Sequence, residues 1–250
     1  MSDDANFLSI DPWPIAELAG QLVARATLGR RALIETDTET DPFERETDRF
    51  ELEAWSRLEL TSWLTPPEME ILAAPVGQLS DQQVATAEQG TLIASTIGWA
   101  LNVVKTERIQ APTSGEAEGL VLEWAPTPWT PLRSVIKPLR LRGEEKLATE
   151  RERWEVLLWR LELFGEPTFM EEDQNAWSEA IREIEEARLW PIQDGDLTLD
   201  DGRQISALDA METSDLMEEA EVRLRSLNWV CGYGNSPVTA PLDLDGAGVD

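Results

Sequence analysis

Histidine is absent from this 250-residue chain, and there is a single cysteine, Cys231, and a single tyrosine, Tyr233. Without imidazole there are no Glu-x-x-His pairs, which excludes a carboxylate-bridged metal centre of the usual helical-bundle kind. Cys231 likewise has no histidine to activate it as a nucleophile. One thiol forms no internal disulfide and builds no multi-cysteine metal site. No apolar run reaches membrane-spanning length and no secretory signal opens the chain, so a soluble, cytoplasmic protein is expected. Basic residues are also scarce: 21 Lys and Arg face 49 Asp and Glu, for a formal net charge of −28. Such a surface repels phosphate backbones and argues against direct nucleic-acid binding. No Gly-rich phosphate loop precedes a helix, and there is no serine nucleophile elbow and no internal repeat. The sequence thus offers no catalytic residue, no metal ligand set and no cofactor motif.

What is present is tryptophan and helical spacing. Eleven Trp stand against five Phe, and indoles in that number fill gaps between packed helices. The length allows a substantial core, as one continuous domain or as two lobes sharing an interface. The Pro-rich connector at 126–131 marks off an N-terminal helical lobe at 1–125 from a C-terminal helical lobe at 132–234, with a flexible acidic tail at 235–250. The predicted fold class is all-α, a multi-helix bundle-like globule with at most one small β-hairpin near residues 197–205.

After the turn Asp11-Pro12-Trp13-Pro14, the residues Ile15, Leu18, Leu22, Ala26 and Leu33 predict a first helix to about Ile34. Glu35 to Asp48 reads as an exposed connector. A second helix from about Phe50 turns Leu52, Trp55, Leu58 and Trp63 inward. Thr65-Pro66-Pro67-Glu68 is a capping box opening a short helix that stops by Pro75. Ser80 or Asp81 caps a long helix to about Lys105, in which Gly90, Ala94 and Gly98 recur every fourth residue. So bare a face either receives another helix closely or leaves a groove for a partner. Thr113 to Trp124 predicts a short helix. Gly143 to Phe164 predicts a strong one that buries Leu147, Trp154, Leu157, Leu158 and Leu161. Glu171 to Trp190 predicts another, with Trp177, Ala180, Ile181 and Ile184 inward. Leu197 to Ile205, turning at Asp200-Asp201-Gly202, reads as the hairpin.

The stretch Arg223 to Tyr233, R-L-R-S-L-N-W-V-C-G-Y, closes the last helix. Thr213 or Ser214 can cap its start, Leu216, Ala220, Leu224, Leu227 and Cys231 form its buried stripe, and Gly232 can take the left-handed conformation that ends it. Arg223, then L-N-W at Leu227 to Trp229, then C-G-Y, resemble the carboxy-terminal signature of the bacterial domain-of-unknown-function 4272 family. E-V-L-L-W-R at Glu155 to Arg160 and L-W-P-I-Q-D-G-D-L at Leu189 to Leu197 are similar to two further blocks of that family in the expected order. The first half matches only loosely, through W-A-L at Trp99 to Leu101. Where the family usually has histidines this chain has Leu158 and Leu224, so any imidazole chemistry of the family is missing. The resemblance implies a mostly helical intracellular protein and assigns no activity.

Those blocks single out Trp159, Arg160, Arg223, Asn228, Trp229 and Tyr233 as candidate binding residues. Two readings stand side by side. Either the arginines pair with acids such as Glu155 across packed helices, or guanidinium and indole line a pocket for an anion or a peptide end. Asp194-Gly195-Asp196-Leu197-Thr198 fails as a calcium loop, because Leu199 and Ile205 stand where Gly and Glu are needed. As a phosphotransferase nucleophile loop of the haloacid-dehalogenase type it should follow a buried parallel strand, and instead it follows a helix and Pro191; it reads as a turn. Only an all-oxygen Mg²⁺ or Mn²⁺ site, from residues such as Glu152, Glu155, Glu183 or Glu218, stays chemically open. The function expected is a non-enzymatic protein-binding module, immunity-like or inhibitor-like toward a basic partner protein, with neither nucleic acid nor membrane as partner. The alternative is a Mg²⁺- or Mn²⁺-dependent carboxylate-site hydrolase.

Overall fold

Helix α1 (Ile15–Thr36) is apolar or small on nearly every side, and a helix of that kind is stable only when surrounded. The computed structural model, which describes residues 10–109, 119, 123–124, 130–136, 139–165 and 171–244, places it at the centre. One side of α1, with Leu18, Ala19, Leu22 and Ala26, joins a large hydrophobic cluster. The other, with Val23, Ala24, Leu28 and Ala32, joins a second. The elements that follow are α2 (Pro42–Glu59), α3 (Pro66–Ala73), α4 (Asp81–Ala100), α5 (Leu132–Ile136), α6 (Glu144–Gly165) and α7 (Glu171–Ala187). Two antiparallel strands, β1 (Ile192–Gln193) and β2 (Asp196–Leu197), a 3-10 turn at Ile205–Ala207 and α8 (Ala210–Val230) complete the order. The fold is all-α with one small hairpin, as the spacing predicts. The hairpin turns at Asp194 and Gly195, both with positive φ, and the segment 197–205 adds a single bridge between Thr198 and Gln204.

Helices α2 and α3 pack on one side of α1, while α4 lies along it and also meets α8, which in turn packs on α6. The close approach of α1 and α4 has a visible cause: a Cβ added at Gly90 would lie 2.7 Å from the Arg25 carbonyl oxygen and 3.0 Å from Leu28 Cβ. At Gly98 the nearest atom would be 3.5 Å away, an ordinary contact. The two glycines should therefore respond oppositely to alanine. Gly90→Ala is expected to cost about 1–3 kcal/mol through overpacking, more than the helix propensity it gains, whereas Gly98→Ala should be neutral or stabilising by up to about 1 kcal/mol. Urea unfolding of the two variants checks this.

Arginines hold the helix ends. Helices α1, α3, α4 and α7 carry no basic residue in their own last turns, and neighbours supply the missing cations. Arg45 donates to the carbonyls of Ile34, Glu35 and Asp37 at the end of α1. Arg31 reaches Ile71 and Ala74, and Arg49 reaches Leu72 and Ala73, so the eight-residue α3 has its terminal carbonyls satisfied from outside. Arg142 donates to Trp99, Val104 and Thr106 beyond α4, and Arg108 to Arg188 and Leu189 beyond α7. The capping box at Thr65 forms as the sequence predicts, and of the two caps offered for α4 it is Ser80 that serves, in a capping box with Gln83; Glu68 of the first also pairs with buried Arg25.

Several expectations are corrected. The connector shrinks to a few residues, because Asp41 caps α2, accepting from Phe43 N at 2.9 Å, well before Phe50. Leu58 points outward, 70% exposed. Helix α4 stops at Ala100, where Asn102 turns left-handed and Val103 N returns to the Gly98 carbonyl. Helix α7 ends at Ala187, before Trp190. Helix α8 starts from Asp209, in a capping box with Glu212, not from Thr213 or Ser214, and Leu216 is only partly buried. The expected free tail is anchored at its start: Arg225 donates to the Ala240 carbonyl, Asn228 to Pro241, and Ala240 and Leu244 are buried. Residues 245–250 lie outside the described residues, as do, except for 119 and 123–124, the helix expected at Thr113–Trp124 and the connector residues 126–129.

Candidate functional site

The six residues singled out by the sequence are distributed among packing contacts. Helix α8 carries Arg223 on its face toward α4 and α6, fully buried at 0% exposure. Its guanidinium donates to Glu219 at 2.7 Å, Ser95 at 3.1 Å and Thr96 at 3.2 Å, and lies 5.1 Å from the Trp154 ring centroid. Asn228 accepts from Arg151 Nε at 2.7 Å and donates to the Pro241 carbonyl, tying α6, α8 and the terminal segment together. Trp229 stacks on Trp13, with centroids 6.2 Å apart, and the Asp11 amide donates to the Cys231 carbonyl. Gly232, φ 99°, permits that approach: a Cβ there would sit 2.3 Å from the Asp11 oxygen. Tyr233 is half-buried, and burial, reinforced by Cys231, raises its hydroxyl above the ordinary value.

Trp159 and Arg160 belong to a different place. Arg160 pairs with buried Asp196 at 2.8 Å and lies 5.2 Å from the Trp177 ring, against which Trp159 also tilts. Asp196 meanwhile accepts from the Leu197 and Ser206 amides. Two of the sequence blocks therefore meet in a buried pair, Arg160 on Asp196, and the third reaches the same helix α6 through Asn228 and Arg151, just ahead of its block. The acid paired with Arg160 comes from another element, whereas the acid paired with Arg223 is Glu219 of the same helix.

Sequence reasoning passed over two other features. The first is a cleft of about 250 Å³ where the end of α4, the segment after it, the first turns of α6 and the end of α7 converge. Arg108, Lys146, Arg153 and Arg188 line it, together with Trp99 and the acids Glu107, Glu145 and Glu150. Arg153 is buried, with its guanidinium 3.8 Å from the Trp190 centroid. One oxygen of buried Glu150 accepts from Arg153, from the Trp154 indole at 3.1 Å and from the Ile109 amide at 3.0 Å. Burial pushes the Arg153 guanidinium below its ordinary value, with Glu150 pulling the other way. The second feature is the outer face of α2, where Phe43, Phe50 and Leu58 are 80%, 61% and 70% exposed.

As to metals, among the described residues no three His, Cys, Asp or Glu side chains gather to hold an ion. Glu155 pairs with Arg151, and Glu218 accepts from Gln89. No helix among the described residues is long and apolar enough to cross a membrane. No family model matches the chain, and neither the curated proteins nor the solved structures hold a match to it.

Proposed function

We propose that this chain is a non-enzymatic, cytoplasmic protein-binding module that receives a basic partner, with α2 as the contact. The observation that carries this reading is the outward face of α2. Phe43, Phe50 and Leu58 fall within about 80° of one another around the helix axis and span about 22 Å along it. Glu44, Asp48 and Glu51 run along one flank of that strip. An amphipathic partner helix with an apolar face and lysines or arginines along one edge fits both features. A second copy of this chain would bring a net charge of −28 against the same strip, so a heterologous basic partner is favoured.

The distribution of charge supports the same reading. Among the described residues seven arginines are buried against three acids, Glu68, Glu150 and Asp196. Cations have gone inward, and the solvent-facing surface is correspondingly richer in acid. An immunity-like or inhibitor-like role toward a basic protein is the form of this function that we favour, together with kinship to the bacterial family that the C-terminal blocks resemble. The rival hydrolase would need carboxylates converging on an ion, and Glu155 and Glu218 are engaged elsewhere.

The test titrates the full chain with a synthetic amphipathic helical peptide of leucine and lysine. Replacing Phe50 and Leu58 together by serine should weaken binding about tenfold or more. Each change, at an exposed position, should leave stability within about 0.5 kcal/mol. Binding should also weaken with salt. A double variant that binds as tightly as the parent removes α2 from the proposal. A parent that binds the peptide no better than an unrelated protein of matched charge removes the function itself.

A further inference from the structure

The cleft at the start of α6 gathers four cations, Arg108, Lys146, Arg153 and Arg188, in a chain of net charge −28. Lys146, in the first turn of α6, and Arg188, just past α7, are exposed and have no carboxylate partner among the described residues. Every long helix presents its positive end at its first turn, and here that end belongs to the 22-residue α6. Behind these groups sits the buried guanidinium of Arg153, paired with Glu150. Its Nε and the Trp99 Nε1 are both buried donors without a hydrogen-bond partner, on residues that line the cleft.

Arg188 supplies an independent observation. It stands at φ 57°, in the left-handed region, as the residue that terminates α7. The Leu189 amide returns to the Ile184 carbonyl at 3.1 Å and the Arg188 amide to Glu185 at 3.2 Å. That is a Schellman ending, in which the left-handed position is ordinarily glycine because a Cβ there is sterically unfavourable. A long cationic side chain is kept at a position where it strains the backbone, and such strain concentrates at functional sites.

We propose that this cleft binds a small ligand bearing one carboxylate, held between Lys146 and Arg188 beside the unpartnered Nε of Arg153. The volume of about 250 Å³ lies just below the roughly 300–1,000 Å³ of drug-sized sites, which suits a small molecule. Glu107, Glu145 and Glu150 also line the cleft, three acids against the four cations Arg108, Lys146, Arg153 and Arg188. The acids tolerate a singly charged group beside the cations and oppose a doubly charged phosphate. Trp99 and Leu189 provide apolar wall for the body of the ligand.

The experiment titrates the full chain calorimetrically with acetate, benzoate and inorganic phosphate at constant ionic strength, in the parent and in Lys146→Gln and Arg188→Gly. The expected result is saturable one-site binding of a carboxylate, tighter than phosphate, weakened about tenfold or more in each variant, the scale of a lost hydrogen bond to a charged group. Arg188→Gly should melt no lower than the parent, because glycine relieves the left-handed strain while deleting the cation. If that variant does lose stability, Lys146→Gln decides. No saturable carboxylate binding, tighter binding of phosphate, or binding undiminished in Lys146→Gln would each overturn the proposal.

Discussion

Glu150→Gln is expected to lower the melting temperature by about 6–20 °C. Breaking a buried ion pair from one side costs about 3–5 kcal/mol, and a chain of this size shifts by about 2–4 °C per kcal/mol. The cause is local. One carboxylate oxygen serves the Ile109 amide, the Arg153 guanidinium and the Trp154 indole, and Arg153 is only 3% exposed. Glutamine keeps the shape, and its amide oxygen can still accept from the three donors, but it leaves that guanidinium buried without a counter-charge. Glu145→Gln, one turn earlier and exposed, should move the transition by less than about 2 °C. Scanning calorimetry of the two variants separates them, and equal melting would show that Glu150 is not the counter-charge of the cluster.

Arg223→Ala is the second large effect, expected at about 3–5 kcal/mol. The side chain is fully buried between α8, α4 and the Trp154 ring, and its removal strips partners from Glu219, Ser95 and Thr96. Arg223→Met, which keeps the stem in place, should recover part of the loss, since the long aliphatic chain packs whether or not it is charged. The affinity of either variant for a basic partner should fall only as far as the unfolded fraction requires. A stable Arg223→Ala protein that had lost its partner would instead make the buried arginine a binding residue.

How much of this was legible in the sequence depends on how local the determinant is. The stripe Ala220, Leu224, Leu227 and Cys231, the capping box at Thr65 and a cap at Ser80 or Asp81 were legible, because spacing of three or four and caps over four residues are properties of a short stretch. The small face of α4 was legible as a close approach for the same reason. The start of α2 was not, since P-F-E-R-E-T-D-R-F has little inward apolar content. What keeps it helical is Arg45 on the end of α1 and Arg49 between Glu46, Glu53 and α3. Arginine seated on the carbonyls of another helix leaves no periodic signature. The spacing of Leu58 to Trp55 points it inward, yet the same three residues also reach the exposed flank, where it lies. The cleft was invisible for a further reason: nothing in R-L-W at Arg188 announces a left-handed arginine, because the usual mark of that conformation is a glycine.

Cys231 has a consequence of a different kind. The chain's single thiol is fully buried where the start of the fold closes on its end, and burial pushes it up to about 12, with Arg151 pulling weakly the other way. Because the thiolate is the reactive form, alkylating and oxidising reagents meet an inert folded protein. They react only in the instants when the last turn of α8 parts from Asp11 and Trp13. The native chain thus carries its own stopwatch. The rate at which it takes up a thiol label without denaturant counts the openings of that seam, with no cysteine introduced and no second one to confuse the signal.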